Sequence, residues 1–397
     1  MKINHLLLIL VFSSSLFSCD IKSDKATPSG RFVSEKSFRL GDFKTILPLD
    51  SFSSSDERTR GYVDKDGFFF YNSRTRKIYT YALVDSLWQL ENITKVPLDP
   101  DNNFKSVTDI YYHNKDSIFI YDDTNFDTEF PDLYLIDIHG KIINSYKLLN
   151  LDDGDPTIVP KYIAFSTQTF FFHKDKIYMA VNPINEAING KQHPLLVYDL
   201  KTGKKEFKGN LPVDPKAVSF AVYTEFCQIA FNPELEEIYF SWAFDEFIHR
   251  YKLTTDNWDR INISSSYFNA PETWVYSEDV AKYGEYLLGN DWYLGIYYDR
   301  STKRIHRLVY HGDFRNIQYS GSTSLIEGLA LLPVDKRIYV ASIDPVNGDF
   351  DVIPFLNHSL RTFMFHPEYG PLIRTELNDA YGLDAEDFIV LAPIEIY

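Results

Sequence analysis

The most chemically suggestive run in the sequence is Asp123-Thr124-Asn125-Phe126-Asp127-Thr128-Glu129, where oxygen-bearing side chains recur at alternate positions. Calcium is the ion such a run would serve, because it takes about six to eight hard oxygen ligands. The pattern departs from a calcium loop twice: Thr128 stands where the sharp turn calls for glycine, and Tyr134 where a bidentate carboxylate should close the shell. The expectation is therefore no resident cofactor. Calcium on Asp123, Asn125, Asp127 and Glu129 is the one metal alternative.

A broader constellation joins carboxylates to flat apolar rings. Asp123, Asp127, Glu129, Asp153 and Asp155 fall in polar connecting segments, Asp245 follows Trp242, and Asp291 precedes Trp292, with Trp274 in the same stretch of chain. Rings that stack on C–H faces beside groups that take hydroxyls suit a sugar or a peptide, so these ten residues are the expected ligand-binding set. Packing between structural units is the competing use for any one ring, given 28 Tyr and 31 Phe in the chain. Two carboxylates about 5–10 Å apart could also run glycoside hydrolysis. No H-E-x-x-H, G-x-S-x-G, Walker loop, G-x-G-x-x-G or C-x-x-C occurs, and no catalytic residue is assigned. His306 and His311 flank one strand at odd separation, which sends them to opposite faces and prevents joint chelation.

Charge narrows the partners. A formal net charge of −16 excludes nucleic acid and anionic lipid as preferred surfaces, since both demand a basic footprint. An envelope protein or a glycan is compatible with it.

The N-terminus carries an address. Lys2 precedes the apolar run from Leu6 to Phe12, and Leu16-Phe17-Ser18-Cys19 follows. The run is too short for the roughly 20 apolar residues of a membrane span. Its ending resembles the lipobox of bacterial lipoproteins, in which the cysteine is acylated and the preceding peptide removed. The expected organisation is thus a signal peptide over 1–18, a lipidated Cys19 with a flexible tether over 19–30, and one domain over 31–397. The membrane is met through the lipid only, and the cell envelope, with the outer membrane foremost, is the expected location. Once Cys19 is modified only Cys227 remains, in an apolar strand-like run, so a buried inert thiol is expected.

The elements that must position the ligand-binding set repeat. An apolar-aromatic strand after a charged turn recurs as Gly67-Phe68-Phe69, Ser117-Ile118-Phe119, Lys176-Ile177-Tyr178, Glu237-Ile238-Tyr239, Glu285-Tyr286-Leu287 and Arg337-Ile338-Tyr339. Successive copies lie roughly 50–60 residues apart, near the ~40–50 of a propeller blade. Hairpins follow most copies, as at Ile136-Asp137-Ile138-His139-Gly140-Lys141. The fold class is all-β: a β-propeller of six blades, each of four antiparallel strands. Seven blades, or a ring closed by terminal strands around Phe38–Leu49, are the alternatives.

These phrases, and above all the segment from Gly295 to Val309, resemble an uncharacterised family of Bacteroidota lipoproteins classed as a domain of unknown function, itself similar to six-bladed TolB-like propellers. The resemblance implies a cell-envelope location and a binding role, and carries no catalytic residues. In an up-and-down blade the connections alternate between the two faces of the disc, so short turns gather on one and long connections on the other. The long connections are where binding is expected. The functional expectation is a lipid-anchored propeller that binds protein, peptide or glycan without chemistry; a carbohydrate hydrolase or lyase using loop carboxylates is the alternative.

Overall fold

Strand ends in this chain are fixed by turn chemistry. Lys174 and Asp175 both take positive φ between Phe170–His173 and Lys176–Ala180, the backbone of a two-residue hairpin turn. Asp137 and Asp199 each accept two backbone N–H groups of the turn that follows them, from His139 and Lys141, and from Lys201 and Thr202. The computed structural model describes residues 32–149, 169–181, 193–209, 227–263, 292–310 and 338–355, with short breaks in several of these ranges, and three further strands up to residue 396.

The chain is an all-β propeller. Five blades are each made of four consecutive strands in simple antiparallel order. They are β4 (Arg60–Asp64), β5 (Gly67–Asn72), β6 (Lys77–Val84) and β7 (Leu87–Lys95); β8 (Asp109–Asn114), β9 (Ser117–Tyr121), β10 (Leu133–Ile136) and β11 (Ile142–Tyr146); β12 (Phe170–His173), β13 (Lys176–Ala180), β14 (Leu195–Asp199) and β15 (Lys205–Lys208); β16 (Gln228–Asn232), β17 (Glu237–Ser241), β18 (Phe247–Lys252) and β19 (Asn257–Asn262); and β20 (Trp292–Asp299), β21 (Arg304–Tyr310), β22 (Ile338–Ile343) and β23 (Phe350–Phe355).

The expectation of six equivalent four-stranded antiparallel blades, or of seven, is corrected here. The remaining sheet is composite: β24 (Phe363–His366), β25 (Gly370–Arg374) and β26 (Phe388–Ile396) come from the C-terminal region, while β2 (Phe38–Leu40) and β3 (Thr45–Pro48) pair with the two ends of β26. Phe388–Leu391 is thus part of a third strand closed by N-terminal residues, not the start of a seventh blade. Its innermost strand, β24, packs between β20 and β4, which closes the ring. A second departure is β1 (Phe32–Glu35), which adds to the outer edge of β23 in parallel, so the fifth blade carries an extra strand.

The repeated aromatic has a defined job. Phe69 of β5 meets Tyr112 of β8 with ring centroids 4.5 Å apart, Phe119 of β9 meets Phe172 of β12 at 5.2 Å, and Tyr239 of β17 meets Tyr298 of β20 at 6.0 Å. Tyr178 stacks on Phe171 of its own blade, whose ring lies 4.2 Å from Phe231 of the next. The core is therefore a series of aromatic seams between blades, and this is where the 16% aromatic content goes. Cys227 is buried within this core and burial pushes its thiol pKa up, as expected of an inert cysteine.

Connections follow the expected asymmetry in most blades. Turns between first and second strands, and between third and fourth, are tight. The opposite face takes 122–132, 181–194, 209–227, 263–291 and 311–337, with short exceptions at 73–76 and 242–246.

The short-turn face is stitched from blade to blade. Ion pairs join Lys115 to Glu91, Lys174 to Glu236 and Lys303 to Glu234, each across a blade boundary, while Lys208, at the far end of β15, pairs with Asp256 of the next blade's β18–β19 turn. Backbone approach matters as well: the carbonyl of Ile138 accepts from Asn92 Nδ2 at 2.9 Å and from the Thr94 hydroxyl, which lays the β10–β11 turn on β7. Gly140 in that turn has φ +81°, and a Cβ there would stand 2.5 Å from the carbonyl oxygen of Lys95. Gly140→Ala is expected to cost about 2 kcal/mol or more, from a left-handed backbone plus a clash with backbone that cannot swing away. Urea denaturation checks this, and a loss near zero would mean that the turn lifts off β7 freely.

Candidate ligand-binding face

On the long-connection face of the second blade, the acidic segment is turned inward. Asp122 is completely buried; one carboxylate oxygen accepts the backbone N–H groups of Lys105 and Ser106 at 2.8 and 3.0 Å, the other the N–H and hydroxyl of Thr124 at 3.0 and 2.6 Å. Asp123, which opens a 3-10 turn over Asp123–Asn125, accepts the Thr108 hydroxyl at 2.5 Å. Asn125 is buried and donates to the carbonyl of Pro131 at 2.9 Å. Unpaired loop N–H groups under a folded connection are costly, and short acidic side chains satisfy several at once.

Asp132 is the hub of this knot. Its oxygens accept the N–H groups of Leu148 and Leu149 at 2.6 and 3.0 Å, and Lys147 Nζ lies 3.6 Å away. Burial raises its pKa to about 6 and outweighs the lowering by the Leu148 N–H, Lys147 and the Leu149 N–H. The Tyr121 hydroxyl is buried beside these acids with no hydrogen-bond partner among the described residues; burial first, then Asp132, Asp123 and Asp122, keep it protonated. Asp109 ties this blade to the third by accepting both the N–H and the hydroxyl of Thr169, at 2.9 and 2.5 Å.

The calcium pattern is not assembled as a shell by these side chains. Asp123 and Asn125 are used in the loop, Glu129 is exposed, and Asp127 lies outside the described residues. Among the described residues no group of three or more His, Cys, Asp or Glu side chains is placed to hold a metal ion.

A second cluster sits under the same face where the fourth and fifth blades meet. Trp242 is fully buried, stacked on Phe240 at 5.7 Å and edge-on to His249 at 5.1 Å, so its ring packs the interior and offers no surface to a ligand. The expectation of Trp242 as a ligand platform is corrected accordingly: the β17–β18 connection is short, and the indole falls between strands. Asp245 pairs with His249 Nε2 at 2.7 Å and accepts the Phe247 N–H at 2.9 Å. Arg307 on β21 is fully buried as well. Its Nε donates to the Ser241 hydroxyl at 2.8 Å, its Nη2 to the carbonyls of Trp242 and Asp245 at 2.9 and 2.5 Å, and its guanidinium carbon lies 3.3 Å from the Tyr293 ring centroid.

Of the remaining expected site residues, Trp292 is the first residue of β20, whereas Asp153, Asp155, Trp274, Asp291 and the lipidation residue Cys19 lie outside the described residues. Residues that reading the sequence missed are Arg307, Tyr293, His249, Tyr121 and Lys147. A signal existed for one of them: His306-Arg307 interrupts an otherwise apolar strand, Ile305 to Val309. His306 is buried with Asp299 at 3.5 Å, and burial depresses its pKa despite that carboxylate.

The fold is shared with solved structures. It is similar to a member of the DUF4221 family from Bacteroides vulgatus, with a TM-score of 0.65 and 14% identity over 91% of this chain and 99% of that one. It is also similar to a Bacteroides fragilis protein called a "Putative exported protein", with a TM-score of 0.51 and 12% identity over 92% and 100% of the two chains. At these identities the likeness is one of fold. No protein-family model matches the sequence, and no curated protein matches it.

Proposed function

We propose that this chain is a lipid-anchored, extracytoplasmic propeller of the bacterial envelope that binds a protein, peptide or glycan on its long-connection face without catalysing a reaction. The observation that carries this reading is the use made of the buried and half-buried acids described on that face. Asp109, Asp122, Asp123, Asp132 and Asp245 each accept hydrogen bonds from loop backbone, a neighbouring hydroxyl or His249, which builds a rigid platform from groups a hydrolase would keep free for acid–base work. Rigid scaffolds with long connections are a common setting for recognition. The likeness to a protein named as exported agrees with an extracytoplasmic setting. Acylation of Cys19 supplies the anchor in this reading.

The test is retention of envelope glycans and crosslinked envelope proteins on the purified protein, compared with Glu129→Arg and with Lys201→Glu on the opposite face. Charge reversal at Glu129 should lower retention while Lys201→Glu leaves it unchanged. Turnover of a glycan by the wild-type protein, or loss of retention only in Lys201→Glu, would overturn the proposal.

A further inference from the structure

The outer strand of a blade ends the sheet with a row of backbone N–H and C=O groups that its own blade does not pair, and such an edge is a template for another strand. Four of the five antiparallel blades blunt that edge. β7 carries Glu91 and Lys95 and shifts register against β6; β15 carries Lys205, Glu206 and Lys208; β19 carries Asp259 and Arg260. β11 has no charge, but its pairing with β10 skips Ile143, and residues 142–145 are exposed on it. Charges and breaks in register of this kind keep a further strand from adding.

β23 has neither device. It pairs with β22 in unbroken register from Phe350 to Phe355. Phe350 and Val352 are each 2% exposed and belong to the core cluster of Ile261 and Ile263 from the fourth blade. The one charge on the strand, Asp351, is buried, with Arg304 Nη2 3.4 Å away. Of the five outer edges this is the regular, apolar one. Pro354 lacks an N–H and ends the usable run, which leaves residues 350–353.

That run is where β1 sits, with Phe32 opposite Phe350 and Glu35 opposite Val352, in parallel and with a shift of register between them. β1 is itself a poor template: four residues long, irregular, and ending in Glu35 with Lys36 next. A short parallel pairing is a weak attachment. The ring also closes without it, since β2 and β3 supply the N-terminal part of the sixth sheet.

We infer that β1 is a detachable guard over a strand-accepting edge of the fifth blade, and that a second copy of this chain takes that edge when β1 leaves, β23 against β23. Antiparallel pairing of two copies over residues 350–353 sets Phe350 opposite Ile353 and Asp351 opposite Val352, so the charges in the run never stand directly opposite each other. The contact is two-fold symmetric and self-complementary, as pairing of identical edges requires. Self-association is thereby tied to the N-terminal segment: with β1 seated the edge is closed, and with β1 withdrawn it pairs.

The test compares the full chain with Val33→Pro/Ser34→Pro, which removes two adjacent backbone donors from β1, and with a chain that begins at Lys36. In sedimentation velocity both variants should reach about twice the wild-type mass, reversibly on dilution. Hydrogen exchange reads the place of contact: Phe350–Phe355 should be protected in wild type at every concentration, and in the variants only where they are paired. Variants that keep the wild-type mass overturn the inference, as does association that leaves Phe350–Phe355 unprotected. Variants that fail to fold overturn it as well, because β1 would then be a part of the ring and not a guard.

Discussion

Arg307→Met should be the most damaging single substitution among the described residues, with an expected loss of about 3–5 kcal/mol of stability. The guanidinium is buried and holds two carbonyls and a hydroxyl across the boundary between the fourth and fifth blades. Methionine fills much of the volume but leaves all three acceptors dry, and each buried unsatisfied acceptor costs about 1–3 kcal/mol. Arg307→Lys should lose less but remain well below wild type, because a single ammonium cannot reproduce a fork that contacts Ser241 and both carbonyls while lying on Tyr293. Arg250 supplies the contrast. It is forked onto Asp259 with both contacts at 2.7 Å, but in a partly exposed setting, so Arg250→Met should cost only about 1 kcal/mol. Chemical denaturation of the four proteins checks the order; equal losses at Arg307 and Arg250 would show that the latch adds nothing beyond a surface pair.

Asp132 should give the chain an unusual dependence on pH. A carboxylate near 3.9 in the unfolded chain and near 6 in the folded one makes the folded state the tighter proton binder between those values. The sign is that stability at this site is full below about pH 4 and is lost as pH rises through 6. The size is about 3 kcal/mol over the whole window, of which about 1.4 kcal/mol falls between pH 7 and pH 5. Other groups titrate over the same range, so the quantity to measure is the difference between wild type and Asp132→Asn. Wild type should gain on the variant as pH falls from 7 to 5. Lys147→Met, which removes the cation 3.6 Å away, should push the Asp132 transition higher. Parallel profiles for all three would mean that Asp132 is solvated in the folded protein.

The architecture was legible because its period is written in side chains that hold the same strand in the first four blades; the copy at Glu285-Tyr286-Leu287 lies outside the described residues, and the one at Arg337-Ile338-Tyr339 falls on the third strand of the fifth blade. Phe69, Phe119, Tyr178 and Tyr239 hold one place in a repeated phrase and one place in the inter-blade seams. Turn ends were equally plain, since Asp137 and Asp199 act within a few residues of themselves. Closure was less so. Phe38–Leu49 read as a contributor to the ring, but a pairing between the two ends of a chain leaves no local period, and the parallel seat of β1 on β23 leaves none at all. The site was the least legible part. Aspartate looks the same in a sequence whether it faces water or, like Asp122, lies beneath a loop; only the partners, Lys105, Ser106 and Thr124, distinguish them, and two of those three are far along the chain. Trp242 misled for the same reason, because ring count says nothing about which rings the seams consume.

The composite sheet also sets a schedule for biogenesis. Phe38 and Ile396 are among the first and last described residues, and their register cannot form until nearly all of the chain has been synthesised. A closure of that span is slow to find, since the chain entropy of a long loop must be lost before any contact rewards it. The early blades can pair locally while the ring stays open, so the sixth sheet is the last to form. Closure waits for the C-terminal strand.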